Sequence, residues 1–168
     1  MGLPSKLKKF AVFADGVSYL GEIPEVTLPK LAIKTEAYRG GGMIGEVDVD
    51  MGVEKLEAEL NAGGILGPLV RQFGAQTHDA ALLRFAGAYN NDSGTTQALE
   101  AVMRGRITEI DFGSSKAGGD TEHKYKYALS YYRLAINGID EVEIDMIAGT
   151  YVVGGVDRYA EISAALGL

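Results

Sequence analysis

Residues 40–45, Gly-Gly-Gly-Met-Ile-Gly, spell the G-x-G-x-x-G pattern of a dinucleotide-phosphate loop. That chemistry requires a helix opening at the third glycine, so that its N-terminal N–H groups meet the pyrophosphate. The next residues, Glu46-Val47-Asp48-Val49-Asp50-Met51, instead alternate carboxylate and apolar side chains, which is the period of a strand. A nucleotide site is not expected here. Asp48, Asp50 and Glu59 fall at positions 1, 3 and 12 of a would-be calcium loop, but Gly52 and Val53 stand at positions 5 and 6. Calcium needs an oxygen ligand and then glycine at those two places. Carboxylates alternating along a strand are read instead as a solvated face.

The remaining reactive side chains are scattered. His78 and His123 lie in polar surroundings, with no second ligand at helical spacing, so neither is expected to hold a metal or act as a base. No serine sits in a G-x-S-x-G elbow. Cysteine is absent, which removes disulfides, thiol nucleophiles and thiolate metal sites. No nucleophile–base pair emerges, so the chain reads as non-enzymatic, with no cofactor. Tyr125, Tyr127 and Tyr131 share one strand parity, Tyr132 takes the other, and Lys124 and Lys126 are interleaved. Such a ladder resembles a base-stacking platform. The net charge of −7 opposes stable nucleic-acid binding, which rests on clustered Lys and Arg. Cross-strand pairs or an interface are the expected role of these tyrosines.

Turn chemistry sets the elements that must carry these residues. The 23 glycines in 168 residues are about twice the usual share, as in turn-rich β proteins. Asp15-Gly16 joins residues 10–14 to 17–20 as a hairpin, and Asn137-Gly138 joins residues 122–136 to 141–147. Residues 26–33 read as one strand interrupted by Pro29, suited to an edge or bulge. Residues 46–51 and 56–60 alternate as strands, although Val53, Leu56 and Leu60 would also suit a helix. Residues 65–73 carry apolar side chains at helical spacing and close on Gly74. Further strands are expected over 80–89 and 97–111. A tail helix over 157–166 would align Tyr159, Ile162, Ala165 and Leu166, with Asp157 as N-cap and Gly167 as stop.

Two of these strands approach 15 residues, roughly 45–50 Å of extended chain. Strands of that length overhang a domain of this size or belong to a sheet that neighbouring molecules continue. No boundary or repeat divides residues 1–168, which read as a single domain. The apolar stretch after Lys6, Lys8 and Lys9 covers only residues 10–14, too short for a signal sequence, so synthesis in the cytoplasm is expected. The most unusual segment is residues 28–43, where a strand-like run passes into Tyr38-Arg39 and three glycines. A loop of that composition approaches another backbone closely or lies on another molecule. Tyr38, Arg39, Gly40, Gly41, Gly42 and Met43 are therefore candidate inter-subunit contacts.

Leu28-Pro29-Lys30-Leu31, Lys34-Thr35-Glu36, Tyr38-Arg39-Gly40 and Gly42-Met43 together resemble the major tail tube protein family of contractile-tailed phages and R-type bacteriocins. Met51-Gly52, Phe85-Ala86-Gly87, Val102-Met103-Arg104-Gly105, Glu109-Ile110-Asp111 and Tyr132-Arg133-Leu134 follow in the family's order. So do Glu143-Ile144-Asp145, Gly155-Val156-Asp157-Arg158 and Leu166-Gly167-Leu168. The resemblance implies a mainly β fold, a β-sandwich or partly closed barrel with long strands and one or two short α-helices.

It further implies six-membered rings stacked into the rigid inner tube of a virion tail or bacteriocin particle. The implied partners are further copies of itself, the tail sheath protein, a tape-measure protein, and baseplate and terminator proteins. DNA would pass non-specifically if the particle is a phage. Glu46, Asp48, Asp50, Glu57 and Glu59 are candidate lumen-facing carboxylates, because a negative wall would not hold DNA. A type VI secretion-like tube protein and a soluble β-barrel for a small apolar ligand are the alternatives; the second predicts a closed cavity.

Overall fold

Two-residue turns fold the chain back where their residues demand it. Asp15 and Gly16 have φ of 49° and 82°, and Asn137 and Gly138 have φ of 51° and 80°, the paired left-handed geometry of tight hairpins. The computed structural model describes residues 2–168. In chain order the strands are β1 (Lys6–Ala14), β2 (Val17–Ser18), β3 (Glu25–Thr27), β4 (Ile33–Tyr38), β5 (Val47–Val53) and β6 (Leu56–Ala62). A short helix, α1 (Gly67–Val70), precedes β7 (Ala81–Asn90), β8 (Thr96–Asp111) and β9 (His123–Ile136). The chain ends with β10 (Ile139–Asp145), β11 (Thr150–Val153), β12 (Val156–Asp157) and α2 (Ala160–Ala165).

The two longest strands, β8 with 16 residues and β9 with 14, organise everything else. They pair with each other, while each changes its other neighbour midway. Residues 123–129 of β9 pair with β6, and residues 131–136 pair with β10. Residues 96–105 of β8 pair with β7, whereas residues 106–111 pair with β9 alone. One layer therefore reads β12-β11-β10-β9-β8-β7-β1-β2 and the other β3-β6-β9-β8.

The switch falls at irregularities. Register shifts between Arg104 and Gly105, where Ser130 is the extra residue, and again around Thr108. Bulges of this kind let a strand leave one layer and enter another. At the corner a Cβ on Gly105 would collide with the Ala128 carbonyl oxygen, so only glycine fits.

The core lies between the layers. Leu56, Leu60, Leu69, Leu83, Met103, Tyr125 and Tyr127 are its largest fully buried side chains, each contributing about 1.5–3 kcal/mol of transfer free energy. This contiguous buried cluster between the layers does not match the closed cavity of the ligand-barrel alternative.

Several sequence expectations are corrected. Residues 26–33 are not one strand, because β3 ends at Thr27 and β4 begins at Ile33; Pro29 lacks the N–H a continuing ladder needs. The helix over 65–73 shrinks to one turn with Pro68 near its start, burying Leu66 and Leu69 and leaving Ile65 and Phe73 exposed. Residues 56–60, by contrast, are strand as their alternation indicates. In the tail, the helix begins at Ala160, and Asp157 accepts the Tyr159 N–H in the turn before it. Gly167, at φ 76°, does end that helix. The shared parity of Tyr125, Tyr127 and Tyr131 is broken by the Ser130 bulge. Tyr125, Tyr127 and Tyr132 point into the core, and Tyr131 is half-buried on the other face. The hairpin β11–β12 was not expected, although Gly154-Gly155, with φ of 60° and 79°, carries its turn signal.

Candidate assembly interface

Strands β4 and β5 form a two-stranded sheet of their own. Residues 33–53 thus leave the body as a hairpin arm, and residues 28–43 span its approach, first strand and tip. Tyr38 pairs with Val47, Ala37 with Asp48, Glu36 with Val49 and Thr35 with Asp50. Alternation gives the arm two unlike faces. One carries Tyr38, Val47, Val49 and Met51, all exposed, with Glu36 among them, and the other carries Thr35, Ala37, Asp48 and Asp50. An isolated two-stranded hairpin is marginal in water, so an arm with an uncovered apolar face is built to be covered.

Its tip is ordered by local packing. The Met43 N–H donates to the Gly40 carbonyl at 3.2 Å, and Gly42, at φ 86°, takes the left-handed corner of the turn. The Gly40 N–H points at the Met43 sulfur at 2.9 Å. A Cβ at Gly40 would sit 3.1 Å from the Tyr38 hydroxyl, so Tyr38, Gly40 and Met43 fold over one another. Ile44 follows and is fully exposed. The six candidate contact residues are therefore brought together at the end of one arm. No helix starts at the third glycine, since the next element is β5.

The five acidic candidates are not brought together. Glu46, Asp48 and Asp50 belong to the arm, whereas Glu57 and Glu59 lie on β6, facing away from the core beside Lys126. Lys55 pairs with Glu57 at 2.9 Å, and this hydrogen bond holds the Glu57 carboxyl below the usual range. The outward face around Glu57 and Glu59 also carries Glu25, Glu109 and Asp111 against Arg106, Lys124 and Lys126. Both ends of its layer are open, since β3 pairs only with β6 and residues 106–111 of β8 only with β9. Unpaired N–H and C=O rows are templates for another chain.

The sequence reading missed two features. The outward face of the larger layer carries a linked set of ion pairs: Arg84 to Glu100 at 3.0 Å, Glu100 to Arg133 at 3.0 Å, and Arg133 to Asp140 at 3.1 Å. Glu100 lies 16 residues from Arg84 and 33 from Arg133, so only the strand register could reveal the set. The second is a recess of about 930 Å3 between α1 and the loop joining β8 to β9, lined in part by Ile65, Gly67, Arg71, Phe112 and Lys116. Neither resembles a reaction centre, and no group of three or more His, Asp or Glu side chains suited to a metal occurs among the described residues. The core tyrosines are unsuited to base stacking. Burial raises the pKa of Tyr127 and pushes that of Tyr132 up to about 12, so both stay neutral inside.

Two β layers with open edges, and an arm that pairs with no strand of either layer and leaves Tyr38, Val47, Val49 and Met51 exposed, define a β structural protein. The chain belongs to the phage tail tube protein FII family, whose model matches residues 4–167. It is 45% identical over 172 aligned residues to the tail tube protein of Escherichia phage P2, covering 100% of each chain. To the major tail tube protein of Serratia phage KSP20 it is 42% identical over 171 residues, covering 100% of this chain and 99% of the other.

Its fold is similar to chains in three cryo-EM structures of contractile systems. For the sheath/tube terminator of the extracellular contractile injection system PVC in the extended state, the TM-score is 0.58 at 15% identity, covering 79% of this chain and 96% of that one. The PVC sheath-tube complex gives 0.57 at 12%, covering 79% and 90%. The anti-feeding prophage baseplate gives 0.55 at 12%, covering 80% and 97%. The chain is a phage tail tube protein, a structural component of the tail.

Proposed function

We propose that residues 1–168 form one tail tube domain, six copies of which close a ring, and that stacked rings make the conduit driven through a target envelope when the sheath contracts. The observation that carries this reading is the arm, whose strands pair only with each other and whose Tyr38, Val47, Val49 and Met51 remain exposed. Tyr38, Arg39, Gly40, Gly41, Gly42 and Met43 form the contact tip that rests on another copy.

The open-edged layer supports ring closure by strand pairing, with β3 of one copy meeting residues 106–111 of the next. Its outward face then lines the lumen. Five carboxylates (Glu25, Glu57, Glu59, Glu109, Asp111) against four cations (Lys55, Arg106, Lys124, Lys126) leave that wall slightly acidic. DNA would slide past it without being held. Glu46, Asp48 and Asp50 serve the arm's contacts in this reading.

The protein carries no catalytic activity. Sheath, terminator and baseplate proteins are its partners, as in the systems whose folds it shares, together with a tape-measure protein. The test is Arg39→Glu, examined by negative-stain electron microscopy. Loss of rings and tubes from a folded protein is the expected result; normal tubes would overturn the role of the tip.

A further inference from the structure

The arm tip and the recess beside α1 are unlike surfaces at separate places on one chain. Ile44 stands fully exposed just past the tip turn. Two residues on, Glu46 begins a run of carboxylates with Asp48 and Asp50, none of which has an ion-pair partner among the described residues. The recess has apolar walls in Ile65, Val70 and Phe112, and Ile65 and Phe112 are exposed at its rim. Gly64 and Gly67 also line it, without side chains. Arg71 and Lys116 line it, likewise without ion-pair partners among the described residues. Of the two carboxylates on its wall, Glu122 is engaged by Lys124 at 3.9 Å, which leaves Asp120 against the two cations.

We infer that this recess receives the arm tip of a second copy, with Ile44 seated between Ile65 and Phe112 and Glu46 meeting Arg71 and Lys116. The inference rests on the proposed tube function and names the surface on which the tip docks. Two considerations select this occupant. An apolar knob flanked by acid matches an apolar socket flanked by base. A knob and a socket on different parts of one chain also make a head-to-tail contact, which continues from copy to copy into a ring or a filament.

The chain has no cysteine, so introduced thiols report the contact cleanly. Ile44 at the tip and Ser115, which lines the recess, are replaced together as Ile44→Cys with Ser115→Cys, and purified assemblies are oxidised. Head-to-tail docking predicts a ladder of linked oligomers beyond the dimer, whereas either single variant stops at dimer. Tubes that form without a ladder would overturn the docking surface while leaving the tube function standing; wild-type protein that never assembles would remove both.

A charge test covers the case in which the thiols disturb assembly. Arg71→Glu should lower the assembled fraction about tenfold, and adding Glu46→Arg should restore most of it. An Arg71→Glu protein that assembles normally would overturn the inference. So would a thiol in the Ser115→Cys variant that reacts freely in bare tubes and is protected only when sheath protein is added, because the recess would then belong to the sheath.

Discussion

Strands β5 and β6 follow each other directly, have seven residues each and alternate in the same way, yet they meet opposite fates. Leu56, Ala58 and Leu60 of β6 are buried, whereas Val47, Val49 and Met51 of β5 are all exposed. The difference lies in what surrounds them. Strand β6 is bonded on both sides, by β3 and β9, and faces the core; β5 has β4 alone. Apolar alternation thus specifies a face that will be covered, without saying whether the cover is the same molecule. In the body the cover is intramolecular and adds to stability. On the arm it is left open, and the proposed assembly has a neighbouring copy supply it.

The comparison breaks most readily at its extremes. Leu60→Ala should cost about 2–5 kcal/mol in denaturant unfolding, because a side chain with 0% exposure leaves a cavity. Gly105→Ala should follow at about 3 kcal/mol, lowering Tm by about 6–12 °C, since the corner has no room for a Cβ.

Alkali distinguishes the regions without mutation. The Tyr132 pKa, raised by burial to about 12, means that the unfolded chain releases this proton first as pH rises. The resulting stability is fully present below about pH 10 and is lost as pH climbs toward 12, by about 3 kcal/mol for this group. Tyr127 shifts in the same direction, also through burial. Unfolding midpoints followed by circular dichroism should therefore fall over that window, and a Tyr132→Phe variant should flatten the fall.

Smaller effects sharpen the contrast. Glu100→Ala, which removes a carboxylate shared by Arg84 and Arg133, should cost about 1 kcal/mol or less and matter less in high salt. Val49→Ala should change monomer stability by no more than about 0.5 kcal/mol while weakening tube formation in a sedimentation assay. A large destabilisation there would mean that the arm packs on its own body.

Much of the plan was legible. The Asp15-Gly16 and Asn137-Gly138 turns, the two long strands and the isolated glycine-rich tip follow from local preferences, which act over a few residues. The Ser130 bulge was not legible, because a shift of parity depends on how β9 is bonded to β8 across the corner. Nor was the length of α1, where Pro68 and the burial of only Leu66 and Leu69 hold the helix to one turn. The candidate contact residues were found through their composition, and they do share one tip. The acidic candidates were grouped by charge alone, and they fall on two separate elements.

Composition, turn residues and alternation were enough to specify a turn-rich β protein with two long strands and one glycine-rich segment unlike the rest. Each of those properties is written in neighbouring residues, through backbone preference and side-chain chemistry. Folding added which apolar faces are covered, which strand edges stay open, and where a recess forms beside α1. Those depend on register and on contacts between residues as distant as Glu25 and Asn61 or Arg84 and Glu100. No local preference carries that information, because it exists only once the layers have closed on a common core.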